Sequence, residues 1–365
     1  MKTYIRLGIF YLLMAPLCTM GKDKVIAPVT RTITKTFDVS SGARLTVSNK
    51  YGKVNLHTWD RNQIKAVITV TANSSDRDNS QNLVNLVNIQ SDQSGNDVTL
   101  TTIYKPESGG SFWSRFFGGG GNHRGNTVRI DYDVYVPQSL AILHIDNNYG
   151  DVAGNDIPGN FFLNINYGNF YLNKVAGSLQ LDANYSGGSV NGIGKGNINA
   201  NYTNFNAGQI NNLQIHSNYS DCKISNAGEL QFNGNYGNFS ADQIDGITSR
   251  SNYTDYKIGT LQQQANMSTT YGDIKIQTLG DQLKSMMIHS TYGNVKIGIP
   301  PNLPLRLNID LTSGDIHTGN LPLQIEEKIS NHGRNILKAV IARKGNTPPV
   351  VQIQGTYSDV TLMEK

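Results

Sequence analysis

Apolar and polar residues alternate in short bursts along most of the chain: Phe161, Leu163 and Ile165, then Leu179, Leu181 and Ala183, then Leu213 and Ile215. A period of two predicts strands with one buried face. Each burst leads into a tyrosine in a recurring setting: Asn148-Tyr149-Gly150, Asn166-Tyr167-Gly168, Asn184-Tyr185-Ser186, Asn201-Tyr202-Thr203, Asn218-Tyr219-Ser220, Asn235-Tyr236-Gly237 and Asn252-Tyr253-Thr254. Thr270-Tyr271-Gly272 and Thr291-Tyr292-Gly293 continue the series, and Thr312-Ser313-Gly314 is a degenerate copy. From Tyr149 to Tyr292 the spacings are 18, 18, 17, 17, 17, 17, 18 and 21. Tyr51 and Tyr357 mark outlying copies.

A further apolar position lies three residues after the tyrosine (Phe170, Phe205, Cys222, Phe239, Ile274, Val295), and another eight after it (Ile157, Val175, Ile193, Ile210, Ile244, Leu279). A unit of this length cannot bury its own apolar face, whereas stacked copies bury a continuous one. The pattern therefore predicts an all-β fold, a parallel β-solenoid of 17–18-residue rungs. At about 4.8 Å per rung, the nine tyrosine-marked rungs from Tyr149 to Tyr292 make a rod of roughly 40 Å. Asparagines at one corner of every rung are placed to hydrogen-bond along the axis. Whether the tyrosines point in or out stays open, because the corner interrupts the alternation.

The chain divides into residues 1–21, 22–137, 138–319 and 320–365. Residues 22–137 carry longer alternating stretches such as Ala66 to Thr71 and Thr127 to Val136, which suits a β-rich N-terminal cap that includes the first rung. An end rung exposes unpaired backbone, and a covering sheet blocks end-to-end aggregation. A Gly-rich loop over 108–121 holds Phe112, Trp113, Phe116 and Phe117, four aromatics in a polar setting. It is read as a surface loop, with docking to a partner or membrane surface as the functional alternative. Residues 320–365 contain an excursion from the period and the last rung.

Composition narrows the classes. Charged residues are 16% of the 365, against the roughly 25% of typical soluble domains. The 37 Gly and 42 Asn suit turns and polar ladders rather than helices. A net charge of +4 is about one excess positive charge per 90 residues, too dilute for a nucleic-acid footprint. Lys2 and Arg6 precede an apolar run from Leu7 to Leu17, too short to span a bilayer, which predicts a signal peptide cleaved after Gly21. Lipidation at Cys18 is the alternative, disfavoured by the bulky Leu17 and by Pro16. Export to the periplasm, outer-membrane surface or exterior follows, without a transmembrane span. Cleavage leaves Cys222 as the sole cysteine, so no internal disulfide can form. Its position in the repeat is otherwise held by Phe and Val, which makes it a small core residue rather than a nucleophile.

The chain contains no HExxH, paired CxxC, GxSxG or P-loop, and no cofactor, metal or catalytic residues are assigned. Two residues past the tyrosines runs an Asx series that includes Asp221, Asp255 and Asp273. Asx suits tight turns. Asp255 and Asp273, on adjacent rungs about 5 Å apart, also formally suit a retaining glycosidase pair. Lys223, Lys257, Lys275 and Lys296 recur two residues further on, where they are placed to neutralise the acids in a surface stripe. The candidate ligand-binding ridge comprises Asn184, Tyr185, Asn201, Tyr202, Asn218 and Tyr219 with Asp221, Asp255 and Asp273. Amides and aromatic rings repeated at every rung suit an extended polymer such as a surface glycan, or a matrix or envelope protein.

The segment from Leu45-Thr46-Val47-Ser48-Asn49-Lys50-Tyr51-Gly52-Lys53-Val54, through Trp59-Asp60 and Val134-Tyr135-Val136-Pro137, to the serial Tyr-Gly-Asp/Asn units resembles the bacterial putative-adhesin family of β-strand-repeat domains of unknown function. The similarity spans about residues 37 to 363. It implies an extracytoplasmic β-solenoid without an established enzymatic activity, in which "adhesin" is a label rather than a mechanism, and offers no family catalytic residues to carry over. A non-enzymatic binding or scaffold protein of the cell envelope is the reading adopted. A β-helix enzyme acting on polysaccharide is the runner-up.

Overall fold

The computed structural model of the chain describes residues 27–74, 76–105, 127–341 and 348–365, whose strands form one continuous sheet wound into a parallel β-solenoid. The proposed signal segment, Cys18 and the aromatic loop bearing Phe112, Trp113, Phe116 and Phe117 lie outside the described residues.

Each rung is two strands joined at a tyrosine corner. Asn160–Asn166 runs into Tyr167, for example, and Asn169–Asn184 supplies the other strand of that rung and the first strand of the next. The alternation read from sequence is the alternation of burial. Phe161, Leu163 and Ile165 point inward and lie beside Leu179, Leu181 and Ala183 on one side and Leu143, Ile145 and Asn147 on the other. Identical register at every rung stacks these side chains into columns, and the columns form one core between two sheet faces.

One column alternates in size. Phe170, Gly188, Phe205 and Cys222 are successive partners. The Phe170 and Phe205 rings lie 6.3 Å apart across Gly188, where an added Cβ would sit 2.6 Å from the Phe170 ring. Cys222 is buried in this column, and burial, foremost among its surroundings, pushes its thiol up to about 12. Its packing is that of a small hydrophobe.

The order of rungs along the stack differs from their order along the chain. Arg44–Lys50 and Val54–Trp59, the Tyr51 rung, lie between the Tyr149 rung and an end rung made of Asp97–Tyr104 and Thr127–Pro137. At the other end Val350–Thr356 and Val360–Glu364, the Tyr357 rung, lie between the Tyr292 rung and the degenerate Ser313 rung. Tyr292 and Ser313 are consecutive copies in sequence but are not neighbours in space. Sequence spacing cannot reveal this, because the intervening rung comes from residues some 45 positions later in the chain.

Antiparallel strands flank both end rungs. Val87–Ser94 pairs with Asp97–Tyr104, and Gln63–Asn73 pairs with Thr127–Pro137 and with Val29–Asp38. Arg334–Ile341 pairs with Leu305–Thr312 and with Gln324–Asn331. One helix, Arg77–Leu86, starts at Asp76, whose side chain accepts the Asn79 backbone N–H, and buries Leu83 and Val84.

Candidate functional site

The ridge is built by a backbone device. Tyr51, Tyr149, Tyr167, Tyr185, Tyr202, Tyr219, Tyr236, Tyr253, Tyr271, Tyr292 and Tyr357 all have positive φ, between 48° and 67°. One left-handed residue turns the chain sharply from the first strand of the rung to the second. A β-carbon-bearing residue there costs about 1–2 kcal/mol. Two contacts offset it. The tyrosine N–H donates to the carbonyl of the next rung, as in Tyr185 N–H to Asn201 O at 3.0 Å and Tyr202 N–H to Asn218 O at 3.0 Å. The rings also stack without a break from Tyr51 to Tyr357, with centroids 4.7–5.2 Å apart. An aromatic pair contributes about 0.5–1.5 kcal/mol beyond its buried area.

The tyrosines point outward and are about half exposed; Tyr185 and Tyr219 are each 53% exposed and Tyr202 is 50%. The Tyr185–Tyr202 and Tyr202–Tyr219 rings are 2° and 1° from parallel, so both faces of Tyr202 are covered by its neighbours. What the ridge presents to solvent is ring edges and phenol hydroxyls, not faces on which a sugar could stack.

Asn184, Asn201 and Asn218 run alongside. Asn184 Nδ2 donates to Asn166 Oδ1 at 2.9 Å, Asn201 Nδ2 to Asn184 Oδ1 at 3.0 Å, and Asn218 Nδ2 to Asn201 Oδ1 at 3.1 Å. The ladder extends from Asn148 to Asn252. Each internal amide spends its oxygen on one neighbour and one N–H on the other.

The acids are likewise engaged. Asp221 accepts the Asn238 backbone N–H at 2.9 Å and its amide at 2.8 Å. Asp255 accepts the Asp273 N–H at 2.9 Å, and Asp273 accepts the Asn294 N–H at 2.7 Å. The same bond recurs from Asp151 to Asn169 and from Asp359 to Asp315. These carboxylates satisfy N–H groups that the corner leaves without a strand partner. Lys257, Lys275 and Lys296 stand in register on three successive rungs. Among the described residues, however, the ion pairs found within 4.0 Å involve none of these lysines nor Lys223. The expected neutralisation by direct pairing does not form. Outward residues two apart along a strand are about 6.6 Å apart at the backbone, and both groups extend into solvent.

The ridge residues named from sequence thus do come together, in three columns of amides, rings and carboxylates. Reading the sequence missed that the ring faces and one oxygen of each carboxylate are already used. Positive φ at a tyrosine leaves no compositional trace, although the Gly, Ser or Thr after each corner tyrosine hints at a cramped corner. No helix among the described residues is long and apolar enough to cross a membrane. Among the described residues, no group of three or more His, Cys, Asp or Glu side chains is placed to hold a metal ion.

The family model described as Toastrack DUF4097 matches residues 42–361. No curated protein matches the chain. Solved structures to which it is similar include a putative adhesin from Bacteroides fragilis, 10% identical, over 91% of this chain and 97% of that one with a TM-score of 0.28. A putative adhesin from Parabacteroides merdae is 14% identical over 92% and 96%, with a TM-score of 0.27. A putative lipid binding protein from Parabacteroides distasonis is 10% identical over 91% and 96%, with a TM-score of 0.26.

Proposed function

The chain belongs to the Toastrack DUF4097 family, and from that membership and the ladder geometry we propose an exported, non-enzymatic β-solenoid of the cell envelope, an adhesin or binding scaffold that presents repeated polar columns to a ligand. The observation that carries this reading is the regularity of the outer surface. The same group recurs at every rung over the whole stack of tyrosines, so many weak contacts to an extended partner can be made at once. In the same reading, residues 1–21 are the export signal, 22–137 form the N-terminal cap with the first rung, 138–319 are the repeats, and 320–365 close the stack. The loop with Phe112, Trp113, Phe116 and Phe117 is a docking element.

A polysaccharide-active enzyme is the second reading, favoured by Asp255 and Asp273 on adjacent rungs. Against it stands their use as acceptors for the backbone of the following rung. The test is to produce the full chain with a C-terminal tag in a bacterial host, fractionate the cells, and expose spheroplasts to protease. Loss of residues 1–21 and protease accessibility are expected. Retention inside the cell with the leader uncleaved overturns the envelope assignment. Release of reducing ends from polysaccharide by the wild type, abolished by Asp273→Asn, overturns the non-enzymatic one.

A further inference from the structure

Away from the ridge, on the outer face of the strand that leads into each corner, a trough of about 690 Å³ runs along the solenoid axis across six rungs, from Phe162 to Thr248. Its rims are two columns of outward side chains. Ser178, Lys195, Asn212 and Glu229 form one, and Gln180, Asn197, Gln214 and Gln231 form the other. Residues two apart on a strand are about 6.6 Å apart, so the rims are separated by roughly the width of a single polymer chain. The backbone of Leu179, Gly196, Leu213 and Leu230 lies between them. Phe162 lines one end with an outward ring that is 39% exposed.

The trough differs from the ridge in what its amides do. Every internal corner asparagine is tied to its neighbours. The side chains of Gln180, Asn197, Asn212 and Gln231, in contrast, make no hydrogen bond with any described residue. Gln180, Asn197, Gln214 and Gln231 are register partners on four successive rungs, yet no amide-to-amide hydrogen bond joins them. Asn197 Oδ1, inside the trough, is buried and has no partner among the described residues. A buried orphan acceptor costs about 1–3 kcal/mol and calls for an explanation. The only charges on the lining are Lys195 and Glu229, one of each sign.

We propose that this trough, rather than the tyrosine ridge, binds a linear neutral polysaccharide lying along the solenoid axis. The proposal rests on the binding-scaffold reading above and identifies its site and ligand class. Free amides supply donors and acceptors together, which is what successive hydroxyl groups require. The repeat of about 4.8 Å per rung is close to the length of one sugar unit in an extended chain. The exposed ring of Phe162 offers an apolar face to the C–H side of a pyranose. A polyanion finds no net positive charge here. A peptide strand would pair at a sheet edge, not on a sheet face.

Isothermal titration calorimetry of the full chain against a panel of soluble neutral polysaccharides, with polygalacturonate as the charged control, tests this. Binding to at least one neutral polymer is expected, unchanged by added salt, as screening does not weaken uncharged contacts. Gln180→Ala with Gln231→Ala should weaken it tenfold or more, and so should Phe162→Ala; these outward positions leave the core intact. The triple variant Tyr185→Phe, Tyr202→Phe, Tyr219→Phe should bind as wild type. Absence of binding to every neutral polymer, tighter binding of polygalacturonate, or undiminished binding by both trough variants overturns the proposal. If the tyrosine variant alone loses binding, the trough is wrong while the scaffold reading stands. Localisation by fractionation is decided independently of either result.

Discussion

At the scale of single residues, the corner tyrosine balances two opposed effects of similar size. Left-handed φ disfavours any residue with a Cβ by about 1–2 kcal/mol, and each ring shares a stack with two neighbours, each pair contributing about 0.5–1.5 kcal/mol. The aromatic ring therefore sits where glycine or asparagine would be the local choice, and the local cost is met only because the same corner recurs above and below. This yields an ordering of variants at Tyr202, whose φ is 50°. Tyr202→Phe keeps the stack and should change stability by less than about 0.5 kcal/mol. Tyr202→Ala removes two stacked pairs and keeps the strain, for a loss of about 2 kcal/mol. Tyr202→Gly also loses the stack but relieves the strain, which exceeds glycine's extra unfolded-state entropy, so it should be up to about 1 kcal/mol more stable than the alanine variant. Urea unfolding of the three variants reads the order. A glycine variant no better than alanine would show that the corner is unstrained.

At the scale of the rung, the residue after the tyrosine sets how closely two corners approach. A Cβ on Gly168 would lie 2.0 Å from the backbone carbonyl oxygen of Gly150, and one on Gly150 would lie 1.8 Å from that of Gly52. Where Ser or Thr takes this place the side chain turns inward onto carbonyls; Thr203 Oγ1 donates to Asn201 O at 2.9 Å and to Ala183 O at 3.1 Å. Gly168→Ala should therefore cost at least about 2 kcal/mol through overpacking against immovable backbone. Gly187→Ala should be within about 0.5 kcal/mol of wild type, since its nearest contact is the side-chain oxygen of Asn169 at 3.2 Å. Equal losses in thermal unfolding would contradict the corner packing. This is also the scale at which the sequence was most legible. Strand positions, rung length and the core place of Cys222 all follow from a periodicity that burial reproduces. The direction of the tyrosines did not follow, because a left-handed residue resets the alternation. The free amides of the trough could not be read either, because corner asparagines form a ladder while the amides of the trough do not, a difference that lies in the folded geometry.

At the scale of the whole molecule, both outlying copies are tucked one rung inside an end of the stack, between strands that come from elsewhere in the chain. Spacing announced Tyr51 and Tyr357 as rungs but could not place them, since a parallel strand accepts a partner of matching pattern from any distance in sequence. The arrangement makes long-range closure, not local repetition, the condition for finishing each end. Two deletions of nearly equal length separate these contributions. Removing residues 203–219 joins Tyr202 to Ser220 and takes out one complete turn. The flanking rungs can then pair in unchanged register, Gly187 with Asp221 in place of Asn204 and Asn201 with Asn235 in place of Asn218. That variant should fold cooperatively, with a shorter stack and a modest fall in melting temperature. Removing residues 350–365 instead takes out the strands that bridge the Tyr292 and Ser313 rungs, leaving two sets of unpaired backbone and the buried side chains of Val351, Ile353, Val360 and Leu362 without replacements. Because no other segment can supply them, this variant should aggregate or lose its cooperative transition by calorimetry. If it melts as sharply as the central deletion, the closing rung is dispensable and the end hairpin alone completes the stack.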